Sequence, residues 1–115
     1  MLDVGAKSGR YVDVAALSEL RDSFATLFKV AGRTIVITRT PAGINAFDGT
    51  CTHAQFQFGT SRLVGCELEC PIHGARFDAV TGAVTKGPAQ KPLERIDTVV
   101  ENGVVRVRVD WTEAP

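Results

Sequence analysis

An all-β domain, an antiparallel sandwich or small barrel, is predicted by three features of this 115-residue sequence. Short β-branched runs alternate with turn signals, Val105, Val107 and Val109 alternate with Arg106 and Arg108, and Asn102-Gly103 supplies a two-residue hairpin turn. In chain order, residues 14–20 carry the only helical hint, a short turn. Residues 24–30 are apolar and β-branched enough for a strand, which Ala31-Gly32-Arg33 turns back. Residues 34–38 form the returning strand. Thr40-Pro41-Ala42-Gly43 is a second turn, and residues 44–47 a third strand. At the other end, Asn102-Gly103 joins a strand over 93–100 to one over 105–109, the latter with one buried and one wet face.

Between residues 48 and 92 the texture changes. Gly49, Gly59, Gly65, Gly74, Gly82 and Gly87 punctuate it, together with Pro71, Pro88 and Pro92. This pattern suggests a smaller subdomain of loops and short strands, about 48–92, inserted into a β scaffold. The chain as a whole, 1–115, reads as one domain without repeats or linkers.

That insertion holds the residues with metal chemistry. The two histidines of the chain each sit beside a cysteine, as Cys51-Thr52-His53 and as Cys70-Pro71-Ile72-His73. The pattern is C-x-H, sixteen residues, then C-x-x-H. It is the ligand set of a Rieske [2Fe–2S] centre, in which two thiolates hold one iron and two imidazoles the other. Thiolates favour ferric iron; neutral imidazoles put less negative charge on theirs, which accepts an electron more readily. Zinc takes the same ligand types, but its common spacing groups like ligands together, whereas unlike ligands alternate here. Cys66 is the remaining cysteine. It lies in an apolar/polar alternation four residues before Cys70, and it reads as a small buried strand residue.

Composition excludes several classes. Acids and bases number 13 each, so no basic face for nucleic acid is implied. No apolar run approaches the roughly 20 residues of a membrane span. The first ten residues contain neither the apolar stretch of a signal peptide nor twin arginines, which points to the cytoplasm. No disulfide is needed, as suits a reducing compartment.

The flanking residues carry a resemblance. Cys51-Thr52-His53-Ala54 and Cys70-Pro71-Ile72-His73-Gly74-Ala75-Arg76-Phe77-Asp78 resemble the two cluster loops of Rieske ferredoxins. Gly87-Pro88-Ala89 with Pro92-Leu93 resembles the proline-bearing loop that covers the cluster in that family. The resemblance runs over residues 11–109 and is nearest to the ferredoxin components of bacterial aromatic-ring-hydroxylating dioxygenase systems. It implies the Rieske fold, one [2Fe–2S] cluster on Cys51, His53, Cys70 and His73, and no catalytic residue of its own. It further implies one-electron transfer from a flavin-containing ferredoxin reductase to a terminal oxygenase by a monomeric carrier with small, weak interfaces. The alternatives are the small Rieske-like subunit of an NADH-dependent nitrite reductase and a zinc-stabilised interaction module.

Rieske proteins of cytochrome complexes add a cysteine to each loop and join the two as a disulfide. Here the first loop lacks it and Ile72 stands in the second place. High-potential members also place a serine and a tyrosine after the second loop histidine, where both donate hydrogen bonds. Ala75 and Phe77 occupy those positions and cannot donate through their side chains. The resemblance therefore implies a centre at the low end of a range of roughly −150 to +300 mV. Phe77 and Phe58 are assigned to the core, and Phe56 is the candidate apolar contact beside His53. Arg76 and Asp78 are a candidate ion pair beneath the loop.

Overall fold

The strand Arg33–Thr40 is buried on both of its faces from Ile35 to Thr38, and the other elements are arranged around it. The computed structural model of the protein describes residues 10–22, 24–51, 56–57, 63–70, 74–87 and 91–111, with the side chains at 50, 51, 56 and 57 outside the description. In chain order the strands are β1 (Arg10–Ala16), β2 (Thr26–Val30), β3 (Arg33–Thr40), β4 (Gly43–Asp48), β5 (Thr50–Cys51), β6 (Phe56–Gln57) and β7 (Leu63–Val64). They continue as β8 (Glu67–Glu69), β9 (Arg76–Asp78), β10 (Val84–Lys86), β11 (Arg95–Ile96), β12 (Thr98–Glu101) and β13 (Val104–Val109). The pairs are antiparallel, in sheets ordered β1-β13-β12, β11-β4-β3-β2, β10-β9-β8-β7 and β5-β6. Among the described residues no helix is long and apolar enough to cross a membrane.

Side chains of a strand alternate between faces, so the middle sheet serves two cores at once. Ile35 and Ile37 of β3, Ala46 of β4 and Ile96 of β11 join Val105, Val107 and Val109 of β13 in one buried cluster. Val36, Phe47 and Leu93 turn the other way and pack with Leu63, Leu68, Cys70, Ala75, Phe77 and Ala79 in a second. Burying a valine or isoleucine contributes about 1.5–3 kcal/mol, which is why β3, with Thr-Ile-Val-Ile-Thr, occupies the shared wall.

The expected all-β architecture is the observed one, with corrections in detail. Residues 14–16 complete β1 rather than entering a helical turn; the turn is a 3-10 segment confined to Leu17–Glu19. β1 pairs with the alternating strand β13, so its Val12 and Val14 are held against the first core. The strand expected over 93–100 is split. Leu93 belongs to the second core and Ile96 to the first, so the chain changes sheet at Asp97. There the Asp97 carbonyl accepts the Arg108 N–H at 2.9 Å, and its carboxylate accepts Arg108 Nε at 2.9 Å. The Asn102-Gly103 turn is present as expected, with φ of 51° and 75°, the mirror-image turn that suits the strand twist. At the opposite corner Arg33 stacks 4.8 Å from the Trp111 ring centroid and pairs with Asp48 and Glu94. Asp48 ends β4 and Glu94 precedes its sheet neighbour β11, and the Asp48 N–H donates to the Glu94 carbonyl at 2.9 Å.

Candidate metal centre

Each Cys–His pair begins where a strand gives way to the connection to its antiparallel partner. The first connection, 52–55, joins β5 to β6, which pair as Thr50 with Gln57 and Cys51 with Phe56. Cys51 is thus the last residue of β5. Its side chain, His53, and the assignments of Phe56 and Phe58 lie outside the described residues.

The second connection follows β8. β8 and β9 pair as Glu67 with Asp78, Leu68 with Phe77 and Glu69 with Arg76. One step further the Cys70 N–H donates to the Ala75 carbonyl at 2.7 Å, extending the ladder to the pair 70 and 75. The Gly74 N–H donates to the Cys70 carbonyl at 3.0 Å, with Gly74 at φ 71°, a conformation glycine adopts without strain. These bonds close a tight loop whose interior, 71–73, includes His73 and lies outside the described residues. Cys70 itself is 0% exposed and packs among Leu68, Ala75 and Phe77. Among the described residues no three His, Cys, Asp or Glu side chains converge on a metal, as the side chains of three of the four expected ligands, Cys51, His53 and His73, are not among them.

Ala75 and Phe77 are fully buried, Phe77 in the core as expected. With Ala79 they alternate with Arg76 and Asp78, so β9 and the residues on either side of it turn three apolar side chains inward beside the loop. The outward face is charged, and here two expectations are corrected. Arg76 pairs not with Asp78 but across the sheet, at 3.2 Å from Glu69 Oε2 and 3.5 Å from Glu67 Oε1, because cross-strand neighbours lie nearer than i, i+2 residues. The Asp78 carboxylate instead accepts the N–H groups of Thr81 at 2.9 Å and Val80 at 2.8 Å, which hold its pKa below the usual value. Cys66 is not buried in a strand. It is exposed in the two-residue turn between β7 and β8, where Gly65 takes φ 64°. The alternation that suggested a strand breaks at this Gly65-Cys66 turn, where the Cys66 carbonyl accepts the Ala79 N–H at 2.7 Å.

The residues fit a [2Fe–2S] cluster of the Rieske type. The donor set is two cysteines and two histidines. The described thiol, Cys70, is enclosed by apolar side chains at the base of a backbone-braced loop and, among the described residues, forms no disulfide.

Comparison with known proteins agrees. A model of the Rieske [2Fe-2S] domain matches residues 10–100. The chain is 30% identical to the ferredoxin component of the naphthalene 1,2-dioxygenase/salicylate 5-hydroxylase systems of a Ralstonia species, over 87% of this chain and 96% of that protein. Among solved structures, the ferredoxin of carbazole 1,9a-dioxygenase from Nocardioides aromaticivorans is 32% identical and superposes with a TM-score of 0.78, over 84% of this chain and 95% of that one. A ferredoxin solved in complex with the reduced oxygenase of carbazole 1,9a-dioxygenase is 26% identical, with a TM-score of 0.78 over 88% and 94%. The fold, the loops and these likenesses converge: the chain belongs to the Rieske [2Fe-2S] domain family.

Proposed function

We propose that this protein is a ferredoxin of an aromatic-ring dioxygenase system. It takes one electron from a flavin-containing reductase and passes it to the Rieske centre of a terminal oxygenase, in the cytoplasm. The observation that carries this reading is that both Cys–His pairs begin at the end of a strand, ahead of its antiparallel partner, in a chain that matches a dioxygenase ferredoxin component along 96% of that component's length. When bound, the cluster supplies a single electron carrier; one electron enters and one leaves, with no bond made or broken.

The chain's own residues do the rest. Cys51 and Cys70 hold one iron as thiolates, and His53 and His73 hold the other. The unit spanning 48–92 serves as the cluster-binding subdomain. Burial of Cys70 keeps water from its sulfur, and the Cys70–Ala75 and Gly74–Cys70 backbone bonds brace its loop in one shape. Ala75 and Phe77 offer no side-chain hydrogen to the sulfurs, which supports a low potential.

The test is stopped-flow mixing of the photoreduced protein with a naphthalene-dioxygenase-type terminal oxygenase, and separately with the large subunit of a nitrite reductase. Reoxidation by the oxygenase in a single-electron step is expected. Reoxidation only by the nitrite reductase would replace this reading with the subunit alternative.

A further inference from the structure

Thr38 is a polar residue in a place the packing does not ask for one. It lies on β3 in the wall shared by both cores, 0% exposed, on the same face as Val36. Its hydroxyl has a single hydrogen. The Ala79 carbonyl accepts it at 2.7 Å, whereas the Asn45 carbonyl lies 3.5 Å away, so Ala79 takes the bond. Ala79 follows directly on β9 and is 0% exposed. Its N–H donates to the Cys66 carbonyl at 2.7 Å. Ala79 is therefore fixed at both backbone groups, one toward the strand that leads into the ligand loop and one toward the scaffold.

β9, Arg76–Asp78, directly joins Ala79 at one end to Ala75 at the other, and the Ala75 carbonyl holds the Cys70 N–H. One end of this short strand closes the second ligand loop. The other is pinned to the scaffold across 41 residues of sequence by one buried hydroxyl. A carbonyl buried in an apolar cluster and stripped of its donor has no water to replace it, so it either pulls the strand away or lets water in.

We propose that Thr38 is a positioning residue for the second ligand loop: by holding the Ala79 carbonyl it fixes the strand on which the Cys70 loop closes. This rests on the reading of residues 70–75 as an iron-holding loop, and the residue acts through β9 without touching the cluster.

The test compares wild type, Thr38→Val and Thr38→Ser as purified with their clusters. Valine keeps the shape and removes the hydroxyl; serine keeps the hydroxyl and removes a methyl. Iron release to a chelator is followed at a temperature where circular dichroism shows all three folded, alongside hydrogen exchange by mass spectrometry and the EPR spectrum of the reduced state. Thr38→Val is expected to release iron about tenfold faster, the factor that loss of one buried hydrogen bond gives. It should also lose amide protection over 66–79 while keeping it over 33–37, and show a broadened EPR signal. Thr38→Ser should match wild type in all three. The proposal is overturned if Thr38→Val releases iron at the wild-type rate, or if protection over 33–37 falls as far as over 66–79. Thr38→Ala, which also lacks the hydroxyl, repeats the comparison if the valine variant does not fold. A wild-type protein without iron and sulfide would refute the cluster reading instead, while exchange over 66–79 would still test the pin.

Discussion

Replacing Ala75 by serine should raise the midpoint potential. The β8–β9 register places residue 75 directly across from Cys70, on the same face. Side chains so paired have Cβ atoms about 4.5–5.5 Å apart, within reach of a hydrogen bond from a serine hydroxyl to the cysteine sulfur. Ala75 is 0% exposed, so water does not compete for that hydroxyl. A hydrogen bond to a charged acceptor contributes about 1.5–3 kcal/mol. At 59 mV per tenfold, or about 1.4 kcal/mol, for one electron, the ceiling is roughly 65–130 mV. The bond exists in both redox states, and only its extra strength in the more negative reduced state counts, so a rise of about half that ceiling is expected. Phe77→Tyr acts in the same direction at greater risk. Phe77 is enclosed with Leu68 and Val84 as its cross-strand partners, and a hydroxyl that fails to find an acceptor there costs about 1–3 kcal/mol. Protein-film voltammetry measures the shift. Wild type should lie near −150 mV, the low end of the Rieske range. A serine variant with full iron content and an unchanged midpoint would refute the assignment of position 75. A wild-type midpoint above about +100 mV would refute the low-potential reading altogether.

Other perturbations test the frame around the loops. Cys66→Ser, at an exposed turn, should change stability by less than about 0.5 kcal/mol in urea denaturation and leave the visible spectrum intact; loss of colour would mean that the ligand set is misassigned. Asp78→Ala should cost about 1 kcal/mol at neutral pH through its two lost turn hydrogen bonds. Because the folded pKa of Asp78 is lowered, its contribution is complete above the unfolded value of about 3.9 and fades as pH falls through the folded value. The gap between wild type and Asp78→Ala in urea midpoints should therefore narrow in acid, and a gap that widens there would reverse the argument. Gly82→Ala should cost more than about 2 kcal/mol, since Gly82 sits at φ 83° and a Cβ would lie 2.9 Å from the Leu93 carbonyl and 3.1 Å from the Phe47 ring. A thermal midpoint equal to wild type would show that this approach relaxes freely.

The parts of the fold legible in the sequence were those with a local signal. The alternation over 105–109 and the Asn102-Gly103 turn located β12 and β13 because a half-buried strand and a mirror-image turn each leave their mark in adjacent residues. β1 was hidden because Arg10–Ala16 is an edge strand whose partner lies some 90 residues away in sequence. The break at Asp97 was hidden too, since Leu93 and Ile96 are both apolar and only packing tells which core each one enters. Cys66 misled through its type: a free cysteine is usually buried, but the two-residue Gly65-Cys66 turn that breaks the alternation exposes it. The ligand spacing stood out because metal chemistry restricts residue types as packing does not. The Thr38–Ala79 bond had no sequence signal at all, because a threonine in a β-branched run reads as one more strand residue.

Cys51, His53, Cys70 and His73 are proposed to hold one [2Fe–2S] cluster together. The most direct test is metal and acid-labile sulfide analysis of the purified protein beside the four single variants Cys51→Ser, Cys70→Ser, His53→Cys and His73→Cys. About two irons and two sulfides per chain are expected in wild type. The serine variants should lose most of both, and the histidine-to-cysteine variants should keep iron with an altered spectrum, since thiolate also ligates iron. One zinc and no sulfide per wild-type chain would contradict the account.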